Sequence, residues 1–350
     1  MPLSVAKGLY PLARLRRIDN CVQLLEGAGM FHNCKKTIKR EVCMKENDKT
    51  SHRAELMRDI VAMVNQNPVL RQAWQRKKEK SIQNTEFEYP EHLSVEHIDM
   101  GLFKMEYLTW NGSGNPYVIM QLHGGGYMSG LQGQYRKMAG LYAEISSGAA
   151  VLSVDYRLAP EHPFPAALED AVAAYKWLRD KGYESERIII AGDSAGGGLA
   201  MALCMELRTN GEPMPAGLVA MSPWTDLAIT GGSYTKNREI DPVFGADGGG
   251  EMLLHSPYIG ENDAKNPLIS PMYGNFTGFP PMLIQVGTHE MLYDDAVSVA
   301  KKAKEQGVPV RFTVYEGMFH VFQMSGTVIP ESKRAWEEVG AFMHKVMGQW

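Results

Sequence analysis

Between Arg187 and Gly198 the chain reads Arg-Ile-Ile-Ile-Ala-Gly-Asp-Ser-Ala-Gly-Gly-Gly, and a helix-forming run, Leu199 to Leu207, follows at once. An apolar, β-branched run that gives way to Gly-x-Ser-x-Gly and then to a helix leaves the chain one local path: strand, sharp turn, helix. Glycines on both sides of Ser194 let the strand and helix backbones approach without a Cβ between them. The turn is strained and exposes the Ser194 hydroxyl above the end of the strand. The backbone N–H of Ala195 then lies at a helix N-terminus, where positive dipole density can meet a negatively charged oxygen. The pentapeptide alone says little in a chain with 35 glycines. Its setting carries the weight.

The rest of the chain supplies a sheet around that turn. Val95–Met100 and Lys104–Trp110 read as a hairpin joined at Gly101, and Tyr117–Leu122 is a third run. Further strands are expected at Ala149–Val154, Ala216–Met221, Met282–Val286 and Val310–Tyr315, with helices at Gln134–Ser147, Ala166–Lys181, Asp294–Gln306 and Pro330–Met347. About eight strands, the later ones alternating with helices, predict an α/β fold whose mostly parallel sheet is covered by helices on both faces. Residues 1–94 read instead as a helical arm. Leu12, Leu15, Ile18, Val22 and Leu25 form a stripe at helical spacing, Ser51–Gln66 is a second helix, and Asn67-Pro68 reads as the N-cap and first position of a third running toward Lys80. Residues 95–350 read as one large α/β domain, interrupted at about 227–278 by an insertion without periodicity, of the kind that serves as a lid or binding segment.

Composition narrows the function. At 44% hydrophobic and 22% charged the chain is an ordinary globular one, and its net charge of −4 offers no electrostatic case for nucleic acid. No stretch approaches ~18 uninterrupted apolar residues, and Met1–Lys7 lacks the basic and apolar regions of a signal peptide, so no stable membrane insertion and a cytoplasmic location are expected. Cys21, Cys34, Cys43 and Cys204 include no Cys-x-x-Cys pair and read as reduced thiols rather than a zinc site. Residues 1–53 carry eleven Lys/Arg against five Asp/Glu. That basic arm reads as the solvated face of helices packed on the body rather than as a membrane-surface element. A homodimer stays open as an assembly.

A serine on such a turn needs a histidine base and a carboxylate to orient it. In sheets built around such a strand–turn–helix elbow both follow the serine, acid first, at the tips of later strands. His320 lies five residues past Tyr315, after the last strand, whereas His123 precedes the serine, His162 follows the fourth strand, His255 is in the insertion and His344 in the last helix. After Met282–Val286 the acids are Glu290, Asp294 and Asp295. Asp294 and Asp295 sit where a helix begins, so capping accounts for them, while Glu290 sits at the strand tip. His289 is a loop residue with no assigned role. Upstream, Tyr117–Leu122 ends in His123-Gly124-Gly125-Gly126-Tyr127, whose glycines let backbone N–H groups turn toward a bound atom.

HGGG at 123–126, YRLAPEHPFP at 156–165, GDSAGG at 192–197, SPWTDL at 222–227, DPVF at 241–244 and the acid loop through His320 together resemble the hormone-sensitive lipase-like branch of the α/β-hydrolases, which includes many bacterial carboxylesterases. The resemblance implies an α/β-hydrolase fold with a helical cap built from the N-terminal helices and the insertion. It implies oxyanion N–H groups from Gly125 and Gly126, beside Ala195, with Gly124 shaping the turn. It also puts Trp224 and Phe244 near the acyl pocket. The family's acid motif is usually Asp-x-Leu-x-Asp, and Glu290 stands at its first position here. The expected activity is hydrolysis of short-chain acyl esters, small-molecule substrates, by Ser194, His320 and Glu290 through an acyl-enzyme, with no metal or organic cofactor. Acyl transfer to another alcohol on the same scaffold and a non-catalytic ligand-binding module are the alternatives. A binding module would be expected to lose its nucleophile or its histidine, and this chain retains both.

Overall fold

Eight strands form one sheet in the order β1-β2-β4-β3-β5-β6-β7-β8. They are β1 Leu93–Asp99, β2 Lys104–Trp110, β3 Val118–Leu122, β4 Ala150–Asp155, β5 Ile188–Asp193, β6 Gly217–Met221, β7 Met282–Gly287 and β8 Val310–Tyr315. This computed structural model describes residues 50–67, 69–73, 87–245 and 250–348. The expected stripe from Leu12 to Leu25, and the third helix beyond residue 73, lie outside the described residues. Within them, Asn67 caps the start of that helix, its Oδ1 accepting from the N–H groups of Val69 (3.0 Å) and Leu70 (3.2 Å).

The β1–β2 hairpin and the β2–β4 pair are antiparallel, and all pairings from β3 to β8 are parallel. The hairpin turns at Gly101, which has φ +84°, the left-handed region where a side chain is strained. Strands β3, β5, β6 and β7 are buried at every position, as expected of a parallel sheet with helices on both sides. Period-two alternation divides their residues between two cores. Ile188 and Ile190 pack with Leu168, Leu178, Leu199 and Leu203 of helices Ala166–Asp180 and Ala195–Thr209. Ile189 and Ala191 face Tyr135, Tyr142, Trp336 and Phe342 of helices Gly133–Ile145 and Pro330–Val346. A β-branched run buried on both faces explains why β5 carries no polar residue before Asp193.

The described residues form one compact unit. Helix His52–Gln66 belongs to it: Ala54, Met57 and Val61 pack with Met318, Phe319 and Phe322, on either side of His320. Ser51 caps this helix through its hydroxyl and is held in turn by Glu331. Among its described residues the insertion contains short helices, Ser233–Lys236 and Gly250–Leu254, and two single-turn 3₁₀ segments. It is nonetheless well anchored, with Tyr234, Phe244, Leu253, Tyr258 and Phe276 buried. Among the described residues no helix is long and apolar enough to cross a membrane.

Candidate active site

Because β3 through β8 run parallel, the loops leaving β3, β5, β6, β7 and β8 all emerge on one edge of the sheet. The crossover from β4 to β5 steps over β3, and in open α/β sheets the crevice at such a reversal of strand order receives ligands. Two segments meet there, His123–Tyr127 after β3 and Ser194 after β5.

Ser194 has φ +52° and ψ −123°, a left-handed backbone for a residue with a side chain. Three N–H groups hold its carbonyl, those of Gly197 (3.0 Å), Gly198 (3.2 Å) and Trp224 (2.9 Å). A Cβ on Gly196 would run into the carbonyl oxygens of Leu122 and His123, and one on Gly192 into that of Gly196. The close approach of strand and helix therefore requires both glycines.

The Ser194 hydroxyl lies 2.9 Å from His320 Nε2, and His320 Nδ1 lies 3.0 Å from Glu290 Oε2. Glu290 is fully buried, and Ser194 and His320 nearly so. The other carboxylate oxygen, Glu290 Oε1, accepts from the Ser222 hydroxyl (2.8 Å) and the Gly287 N–H (2.5 Å). A carboxylate oxygen can only accept, so the ring presents Nδ1–H to Glu290 and an Nε2 lone pair to Ser194. The bond to Gly287 also shows how the longer glutamate is accommodated: its side chain folds back on the end of its own strand.

Asp294 and Asp295 lie elsewhere, and neither caps helix Tyr293–Glu305, whose N-cap, Leu292, makes no side-chain bond. Asp294 Oδ2 accepts from the Ser233 N–H and Asp295 Oδ2 from those of Thr225 and Asp226, each at 2.8 Å. Capping was the expected purpose. Instead Asp294 fastens the insertion to this helix, and Asp295 fastens the segment that follows β6. His289 bonds Arg58 of helix His52–Gln66 at 3.2 Å through Nε2 and makes no contact with Ser194.

The Gly124 N–H donates to Asp193 Oδ1 (3.2 Å), which sets the loop's path. Gly125 and Gly126 have φ +111° and +66°. Among the described residues the backbone N–H groups of Gly125, Gly126 and Ala195 bond no other protein group. The insertion covers this loop: Tyr258 stacks on Tyr127 at 3.6 Å, and a Cβ on Gly126 would come within 2.5 Å of Met252 Sδ. Phe244 stands against His320, ring centroids 4.6 Å apart. Trp224 is completely buried behind the elbow, 6.3 Å from the Tyr127 ring, and reaches no open surface.

Three residues beside this group had no role in the sequence reading. Ser222 follows β6 directly. Asp241 accepts from Phe244 N–H (3.0 Å) and Met291 N–H (2.7 Å), joining the insertion to the acid loop. Asp193 is buried, and that burial pushes its carboxyl up to about 7 from an ordinary 3.8, against the pull of His320 and the Gly124 N–H. The unfolded chain ionises this group near pH ~4 while the folded chain holds the proton, so its contribution favours folding at acid pH and is lost as pH rises toward 7. Asp193→Asn cannot ionise, so its melting temperature should vary less across that interval than that of the unsubstituted protein. Parallel melting-temperature curves for the two would refute this account.

A family model described as alpha/beta hydrolase fold matches residues 119–324, more than half of the chain. The chain belongs to the α/β-hydrolase fold family. It is 42% identical over 231 residues to an acetyl-hydrolase of Streptomyces hygroscopicus, covering 66% of this chain and 76% of that protein. It is 36% identical over 228 residues to an esterase of Acinetobacter venetianus, covering 64% and 74%. Its structure is similar to the crystal structure of an esterase from the bacterial hormone-sensitive lipase family, with TM-score 0.75 and 35% identity over 86% of this chain and all of the other. The structure of EstE5 soaked with p-nitrophenyl butyrate gives TM-score 0.74 and 36% identity over 85% and 99%. Within the α/β-hydrolases the chain falls in the hormone-sensitive lipase-like branch.

Proposed function

We propose that this carboxylesterase hydrolyses short-chain acyl esters through an acyl-enzyme on Ser194. The observation that carries the reading is the continuous relay from Ser194 Oγ through His320 to the buried Glu290. His320 Nε2 takes the hydroxyl proton as Ser194 Oγ attacks the ester carbonyl carbon. The carbonyl oxygen becomes an oxyanion, received by the N–H groups of Gly125, Gly126 and Ala195. Losing one such donor raises the barrier by roughly 3–4 kcal/mol. Collapse of the tetrahedral intermediate expels the alcohol, which leaves with the proton from His320. A water then gives its proton to His320 and attacks the acyl carbon, and Ser194 is restored as the carboxylic acid departs. Glu290 holds the productive tautomer and offsets the positive charge that forms on the ring.

Helix His52–Gln66 and the insertion act as the cap, and Phe244, packed against His320, limits the acyl chain. Bulk close to the nucleophile leaves room for a short chain only. Assayed on soluble p-nitrophenyl esters, C4 should be cleaved faster than C12. Faster C12 turnover would overturn the chain-length reading, and no burst or turnover on any ester would overturn the acyl-enzyme itself.

A further inference from the structure

Ser222 occupies a position that ordinary packing does not call for. It follows β6 directly, is completely buried, and has φ +47°, a left-handed backbone that residues with side chains seldom adopt. Its N–H donates to the Gln285 carbonyl of the neighbouring strand at 2.7 Å, which pins the backbone in that turn. Its hydroxyl then points at both flanking members of the relay. Oγ accepts the Val321 N–H at 3.1 Å and lies 2.8 Å from Glu290 Oε1. A backbone N–H can only donate, and a carboxylate oxygen can only accept, so the hydroxyl proton must lie on the Glu290 side. Val321 follows His320 directly and is itself left-handed, with φ +48°.

We propose that Ser222 is a positioning residue for the ester hydrolysis, resting on the assignment of Glu290 and His320 above. One hydroxyl fixes the carboxylate and the backbone beside the base to the same atom, so the two cannot drift apart independently. With Gly287 it holds Oε1 and leaves Oε2 aimed at His320 Nδ1. A partner of this kind orients a functional side chain without touching substrate.

The test is a double-mutant cycle in steady-state kinetics with p-nitrophenyl butyrate. Ser222→Ala should lower kcat by about 10- to 100-fold, the scale of one hydrogen bond to a charged group, with KM changed less than about twofold. Ser222→Cys keeps the size and a weak donor and should recover part of that loss. In a Glu290→Gln background, Ser222→Ala should cost less than about twofold more, because residues acting through one another are not additive. An equal loss in both backgrounds, or near-normal kcat in Ser222→Ala, overturns the proposal. If the alanine variant does not fold, Ser222→Cys and its Glu290→Gln double carry the same cycle. Near-normal kcat in Glu290→Gln alone overturns the acid assignment and this proposal with it, whereas additive losses with an impaired Glu290→Gln overturn only the role of Ser222.

Discussion

Ser194→Ala should lower kcat on p-nitrophenyl butyrate by about 10⁶-fold, because removing a triad nucleophile costs about as much as removing the whole unit. The substitution takes away one oxygen whose hydrogen-bond partner is His320, and leaves the glycines of the elbow and the three N–H bonds to the residue's carbonyl in place. The left-handed backbone at this position is as strained for alanine as for serine. Melting temperature should therefore change little while activity falls to the level that the oxyanion N–H groups alone sustain. Turnover within tenfold of normal by the folded variant would remove Ser194 from the mechanism.

Glu290→Gln should lower kcat by up to ~10⁴-fold, the loss seen when an orienting acid becomes an amide in the best-studied triad. The cause can be followed atom by atom. Gly287 N–H and Ser222 O–H both donate to Oε1, and His320 Nδ1–H faces Oε2, so the carboxylate is surrounded by donors. An amide has one acceptor and one donor group to offer. Turned with its NH₂ toward Gly287, it opposes an N–H. Turned the other way, it forces the His320 proton onto Nε2, which then points at Ser194 and cannot act as a base. Asp294→Asn is the control. Its carboxylate bonds the Ser233 N–H and does not approach His320, so activity should persist while stability falls by about 0.5–1.5 kcal/mol. A reversal, with Asp294→Asn inactive and Glu290→Gln active, would exchange the two assignments.

The local elements were legible because they depend on neighbours in the chain. Ile188, Ile189 and Ile190 are β-branched and bounded by glycine, and alternate positions of the resulting strand bury on opposite faces whatever the rest of the fold does. Ends differed by up to four residues, as at Leu93 for Val95 and Ala195 for Leu199, where hydrogen bonds extend an element past its apolar pattern. Chain order and position at a strand tip pointed to His320 and Glu290, since in a parallel sheet every strand tip emerges on the same edge, and the structure brings the two side chains within 3.0 Å.

Tertiary structure decided what depends on which strands lie side by side. Ser222 and Glu290 are 68 residues apart and bond only because β6 and β7 are adjacent. Asp241 meets Met291 across 50 residues, and Asp294 meets Ser233 across 61. At the start of a helix a carboxylate has free N–H groups within reach, so local chemistry alone recommends capping. A folded chain brings other donors to it: the insertion's backbone wins Asp294 here, and the segment that follows β6 wins Asp295. Hydrogen bonds are short-ranged and directional, so a motif can name the residue that needs a partner, while the packing of the sheet chooses which partner arrives.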